Sequence, residues 1–221
     1  MQDRLFTLAA ARACYRGGSS VEIDPATQTT EGNYNLISGL VVPRPIAWIT
    51  TVSADAVVNL APFSAYAMAG HNPPMLMISI GTRDDAAKDT YRNIVENGEF
   101  VVNVARFSDA ADVQASSHAF APEESEVGFL GLSLRSSTAI AVPRLAHVPA
   151  AMECRLRDRI AYADVDNVII VADIVRFHIS DHLLSNGKIE TEKLDPLVRI
   201  AGPNYAGLDL ARLIRSEAGG A

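Results

Sequence analysis

Short apolar runs separated by turn-forming polar clusters make up most of the chain, and few of them carry helical spacing. Residues 46–52 read as a buried strand and 57–61 as its hairpin partner, with 53–56 as the turn. Residues 74–80 hold a run apolar on both faces, Met75-Leu76-Met77-Ile78-Ser79-Ile80, and 99–105 form another strand. The clearest long hairpin pairs 152–162 with 168–180 across a turn at 164–167. Helices are short. Thr29 or Thr30 caps one that runs through Leu40, and 86–96 form another, stopped by Asn97-Gly98. Residues 109–118 and 209–216 read as two more. Pro43 and Pro45 forbid helix where they stand and start an extended segment. Residues 21–30 and 187–197 read as loops, and 123–130 as an acidic, mobile stretch. The pattern gives six or seven strands with helical decorations and no βαβ alternation. The fold class is mainly β with short helices, built as a β-barrel. Residues 1–20 read as an N-terminal arm or helix and 21–221 as one domain.

Composition narrows the function classes. The 221 residues are 48% hydrophobic with a mean hydropathy of +0.12, which describes a folded chain with a sizeable core. A net charge of −7 argues against a general nucleic-acid binder, yet leaves room for one bound phosphate, which needs only a local cluster of donors. Cys14 and Cys154 fit no metal-ligand spacing and point to a reduced, cytoplasmic protein. The apolar run 5–11 is too short for a good secretory signal and is followed at once by Arg12. No segment approaches the roughly 18 apolar residues of a membrane span. His178 and His182 stand four apart, but in a strand and without a third ligand, so no metal is expected. The absence of Gly-x-Gly-x-x-Gly argues against a Rossmann domain.

Two stretches can carry chemistry. In 81–93 a strand ends at Gly81 and a helix starts within a few residues. Free N–H groups at such a start form an anion site. Asp84 or Asp85 can cap it. Lys88 sits in the first turn, where a cation opposes the helix dipole unless an anion is bound. Thr90 adds a hydroxyl and Arg83 a second cation. The plainer alternative is a solvated Lys88 paired with Asp84 or Asp85. In the second stretch, Thr50, Thr51, Asn59 and Ser64 stand among apolar residues, and Pro62 interrupts strand pairing. A polycyclic ligand needs that mixture, although threonines are also simply good strand formers. Arg44, held extended between prolines, could reach a phosphate, a partner subunit or an acidic neighbour.

Three pieces in this order, Pro43-Arg44-Pro45-Ile46-Ala47-Trp48-Ile49-Thr50-Thr51, Asn59-Leu60-Ala61-Pro62-Phe63-Ser64 and Lys88-Asp89-Thr90 with Asn93, resemble the flavin reductase-like family of FMN-binding split barrels. The resemblance runs from about Asn35 to Tyr205. It implies a split β-barrel of Greek-key type, homodimeric, with FMN at the subunit interface. It places Lys88, Asp89, Thr90 and Asn93 beside the flavin phosphate. Trp48, Ile49, Thr50, Thr51, Asn59, Ala61, Pro62 and Ser64 would line the flavin, with Arg44, Ser79, Gly81 and Tyr205 completing the expected cofactor-binding set. The implied reaction passes hydride from NADH or NADPH to the flavin, with a monooxygenase or another electron acceptor downstream. That chemistry is the cofactor's and requires no catalytic side chain. An FMN-binding electron carrier without NAD(P)H turnover is the alternative, and a flavin-free interaction domain is a further one. The chain departs from the family pattern at Asn72, where an Asp is usual, and at Ala201 and Pro203 in the terminal Arg199-to-Tyr205 run.

Overall fold

Five of the six side chains of strand β1 (Ala47–Val52) are buried, so this strand is covered on both faces. Alternation sends Ala47 and Ile49 into one core and Trp48 into another. Seven strands share one antiparallel sheet: β1, β2 (Val58–Phe63), β3 (Tyr66–His71), β4 (Pro74–Ile80), β5 (Glu99–Val104), β6 (Ala150–Ala161) and β7 (Val168–Ile179), in the order β2-β1-β5-β6-β7-β4-β3. This computed structural model describes residues 20–83, 86–163 and 166–208. The proposed N-terminal arm, the caps Asp84 and Asp85, and the terminal helix at 209–216 lie outside them.

Topology forces the sheet to curl. β2 and β3 are its two edges, yet only residues 64 and 65 separate them. A flat seven-stranded sheet is roughly 29 Å across, while three residue steps reach roughly 10 Å. The edges must therefore come round towards each other, and the result is a barrel split between β2 and β3. The inner core confirms the curl: Phe63 of β2 meets Leu76, Ile78 and Ile80 of β4, with Phe100, Val102, Cys154 and Ile170 between. Register shifts at Glu153/Cys154 and Leu156/Asp158 add the bulges that bend the long β6–β7 hairpin.

The segment 105–149 covers the outer face. Helices α3 (Ala110–Ala115) and α4 (Glu126–Phe129) send Val113 and Val127 into a core with Trp48, Leu60, Val101 and Leu145. Trp48 and Leu145 are fully buried there, and truncating such a tryptophan costs about 3–5 kcal/mol. Polar side chains of the sheet lash this segment down. Thr50 donates to the Pro143 carbonyl at 2.7 Å, Asn103 accepts from the Leu145 amide at 2.9 Å, and Glu153 accepts from the amides of Thr138 and Ala139 at 2.7 and 2.6 Å.

Two longer helices flank the barrel. α5 (Thr30–Leu40) is capped by Thr29, whose hydroxyl accepts from the Gly32 amide at 3.0 Å. α6 (Asp89–Asn97) packs Ile94 into the inner core and ends at Gly98 in the left-handed conformation, φ 71°. Three sequence expectations change. The helix expected from 86 starts at Asp89, because Ala86–Ala87 pair with Thr82–Arg83 and stay extended. Tyr66–His71 is a strand that the sequence reading omits. The acidic stretch 123–130 contains a helical turn with Glu126 and Val127 buried. No helix among the described residues is long and apolar enough to cross a membrane.

Candidate functional site

The start of α6 faces a cleft of about 380 Å³. Lys88 is the N-cap, extended at φ −64° and ψ 149°, and makes no side-chain cap bond. The first helical bond runs from the Arg92 amide to the Lys88 carbonyl at 3.1 Å, so the amides of Asp89, Thr90 and Tyr91 have no acceptor inside the helix. The facing wall is the end of β2, Ala61, Pro62 and Phe63, and the third side is the loop 116–122 with Phe120. Lys88 Nζ stands 5.5 Å from the Phe63 ring centre. The cleft thus joins a cation, a helix N-terminus and an apolar wall.

A buried polar network backs it. Asn59 donates to both carboxylate oxygens of Glu126, at 3.1 and 3.2 Å, and its own carbonyl accepts from the Thr90 hydroxyl at 3.3 Å. The Leu60 amide donates to Glu126 at 2.8 Å. Asn93 donates to the Thr51 hydroxyl at 3.0 Å, joining α6 to β1. Thr90 is only 1% exposed, so its hydroxyl belongs to this network and its backbone amide is the group the helix start presents. Glu126 also closes the free edge of β2, together with Ser125, which donates to the Val58 carbonyl. Burial pushes the Glu126 carboxyl above its ordinary value, aided by the charge of Asp89, while the Leu60 amide and Asn59 pull the other way.

The sequence-selected residues divide by location. Asn59, Ala61, Pro62, Lys88, Asp89 and Thr90 line the cleft, and Thr51 and Asn93 stand behind it. Trp48 and Thr50 face the outer core instead. Trp48 still bears on the cleft, since its indole N–H donates to the hydroxyl of Ser116, a lining residue, at 2.9 Å. Ile49 is inner core. Arg44 donates to the carbonyls of Ser38, Val41 and Ile200 and lies 3.5 Å from the Ser64 hydroxyl, a clamp on the end of α5 away from the cleft. Ser79 accepts from Asn167 at 3.1 Å, and a Cβ at Gly81 would meet that Asn167 side chain at 2.7 Å. Tyr205 packs beneath the Arg199 guanidinium at 4.6 Å and against the outer core. Sequence reasoning missed Arg92, Ser116, His118, Phe120 and Glu126, all of which line the cleft. The signal for Glu126 was its place beside Val127, Phe129 and Leu130 in an otherwise acidic stretch.

Seven antiparallel strands curled about one core and split between two chain-linked edges define a split-barrel protein. The chain belongs to the flavin reductase-like domain family, whose model matches residues 39–199. It is 38% identical over 187 residues to the uncharacterised protein YwrF of Bacillus subtilis, covering 81% of this chain and 91% of that one. Among solved structures it is similar to nitrilotriacetate monooxygenase component B from Bacillus cereus, with a TM-score of 0.83 and 34% identity over 87% of this chain and 98% of that one. It is also similar to the 2-nitrobenzoate 2-nitroreductase NbaA of Pseudomonas fluorescens, with a TM-score of 0.80 and 31% identity over 89% and 96%.

Proposed function

We propose that this protein is an FMN-binding oxidoreductase that takes hydride from NADH or NADPH. The observation that carries the reading is the cleft at the start of α6, where Lys88 and three helix-start amides face an apolar wall. The residues fit the cofactor. A phosphate supplies the anion that makes a cation favourable at a helix N-terminus. Ala61, Pro62, Phe63 and Phe120 offer apolar surface of the kind a tricyclic ring needs. Bound FMN would supply the hydride-accepting centre.

The chain's own work is then placement. Lys88 and the amides of Asp89, Thr90 and Tyr91 hold the phosphate end. Glu126 fixes the Asn59 amide, and Thr90 fixes its carbonyl, so the wall opposite α6 is rigid before any ligand arrives. Trp48 anchors the loop at Ser116 from the far side of the sheet. A homodimer completes the reading. α5 leaves Ile37 61% and Leu40 82% exposed, with Tyr34 and Val41 beside them, and a second copy would cover this face. Similarity to a protein named as a monooxygenase component supports an oxygenase as the downstream acceptor.

The deciding experiment is anaerobic addition of NADH or NADPH to the FMN-loaded protein, followed through the flavin's visible absorption band. Bleaching with either nucleotide is the expected result. Stable FMN binding without bleaching moves the assignment to an electron carrier, and absence of flavin binding ends it. Light scattering on the apo and FMN-loaded protein tests the dimer, which ligand should stabilise by mass action.

A further inference from the structure

A second pocket, of about 350 Å³, lies on the outer side of the sheet and shares no lining residue with the flavin cleft. Its floor is Val148, Pro149 and Ala151, apolar and mostly buried. Arg135 and Arg144 form one wall. They stand directly opposite each other on a two-stranded ribbon, Leu134–Arg135 paired with Arg144–Leu145. Side chains so placed lie on one face of the ribbon, where like charges repel. The Arg144 Nε is buried and has no hydrogen-bond partner. Burial, and then the charge of Arg135, push its guanidinium below its ordinary value, with Glu153 opposing them.

Glu153 cannot act as the missing partner. Its oxygens accept from the Thr138 amide and hydroxyl, the Ala139 amide and His178, and no ion pair joins it to either arginine. His178 also lines the pocket, and its Nε2 is taken up by Glu153. The remaining titratable group is Asp181, which lines the pocket beside Ser180. The pocket therefore gathers two guanidinium groups with no ion-pair partner among the described residues, a hydroxyl and one carboxylate.

We propose that this pocket binds a phosphate ester that carries a neighbouring hydroxyl, as a sugar phosphate does. A phosphoryl group presents three oxygens, enough to meet both arginine forks and the Ser180 hydroxyl, whereas a carboxylate's two oxygens are used up by one fork. The Asp181 carboxylate accepts the hydroxyl beside the phosphate and rejects a bare second anion. The ligand is held either as a free sugar phosphate or as the phosphate-bearing ribose of a nucleotide.

Isothermal titration of the protein in excess FMN tests this, because the flavin cleft is then filled. Ribose 5-phosphate, adenosine 2′-phosphate, inorganic phosphate and ribose are the probes. At least one of the two esters is expected to bind more tightly than inorganic phosphate, and ribose alone not at all. The ester that binds names the source. Arg135→Gln, at an exposed position, should weaken the ester roughly ten- to hundredfold while leaving FMN affinity unchanged. Arg144→Gln should do the same. No heat from either ester at millimolar concentration overturns the proposal, as does binding that Arg135→Gln leaves intact or inorganic phosphate binding tighter than both esters. Titration without FMN reads the same pocket through the same variants, so failure of the flavin reading does not mask the outcome.

Discussion

Glu153 and Glu126 are both buried carboxylates anchored to backbone amides, and their environments drive them in opposite directions. Glu153 is fully buried and has four partners: the Thr138 and Ala139 amides, the Thr138 hydroxyl and His178. Burial alone would raise its carboxyl, but His178 and the two amides outweigh burial and hold it below the ordinary value. Glu126 has only neutral donors, the Leu60 amide, its own amide and the Asn59 side chain, with the Asp89 charge nearby, and burial wins. The first is a pin that holds a covering loop on the sheet. The second stands at the cleft and costs stability when ionised, as groups at functional sites often do. Burial does not separate a structural carboxylate from a site carboxylate; the number and charge of its partners does.

Removing the pin gives the largest expected effect. Glu153→Ala strands two amides and His178 and should cost about 3–5 kcal/mol in equilibrium urea unfolding. FMN affinity should stay unchanged in the fraction that folds, because Glu153 touches nothing at the cleft. A loss of FMN binding as large as the loss of stability would join the two regions that the comparison separates. The next effect reads the cleft side. Lys88→Ala should leave the unfolding midpoint nearly in place and weaken FMN by about 1.5–3 kcal/mol, roughly ten- to hundredfold in Kd. Riboflavin, which lacks the phosphate, should bind both proteins alike. Equal losses for the two flavins would remove Lys88 from the phosphate site.

Local pattern made most of the barrel legible and left one of its two edges, β3, dark. β1, β2, β4, β5 and the β6–β7 hairpin follow from apolar runs between turn signals. β3 escaped because Tyr-Ala-Met-Ala-Gly-His has little strand preference, and it pairs only because the chain must return along β4. The start of α6 escaped for a similar reason, since the ladder holding 86–87 extended is a tertiary contact. Within the candidate site, the contiguous motif Trp48 to Thr51 hid an alternation. Thr51 turns towards α6 while Trp48 and Thr50 turn to the outer core, and one run of letters serves two faces. Glu126 was hidden by composition, because three glutamates within 123–126 suggest solvent, whereas Val127 drags its neighbour inside.

The smallest expected effect is a difference in pH dependence, and its sign is fixed by the directions of the two shifts. The folded state holds the Glu126 proton more tightly than the unfolded chain does. Stability from this group is therefore complete below the ordinary carboxylate value and is lost as pH rises through the raised one. Glu153 runs the other way: its contribution is present above the ordinary carboxylate value and is lost as pH falls through the depressed one. Glu126→Gln keeps an acceptor for the Leu60 amide and removes the titration, so at neutral pH the change in stability should lie within about 1 kcal/mol. Thermal melts of the wild type and Glu126→Gln across mildly acidic to neutral pH isolate the group, since every other acidic residue around the adjoining cavity is common to both proteins. The wild type should lose ground against the variant as pH rises. A wild type that gains ground instead would mean that Glu126 is held ionised, as Glu153 is, and that the cleft carboxylate is a second pin.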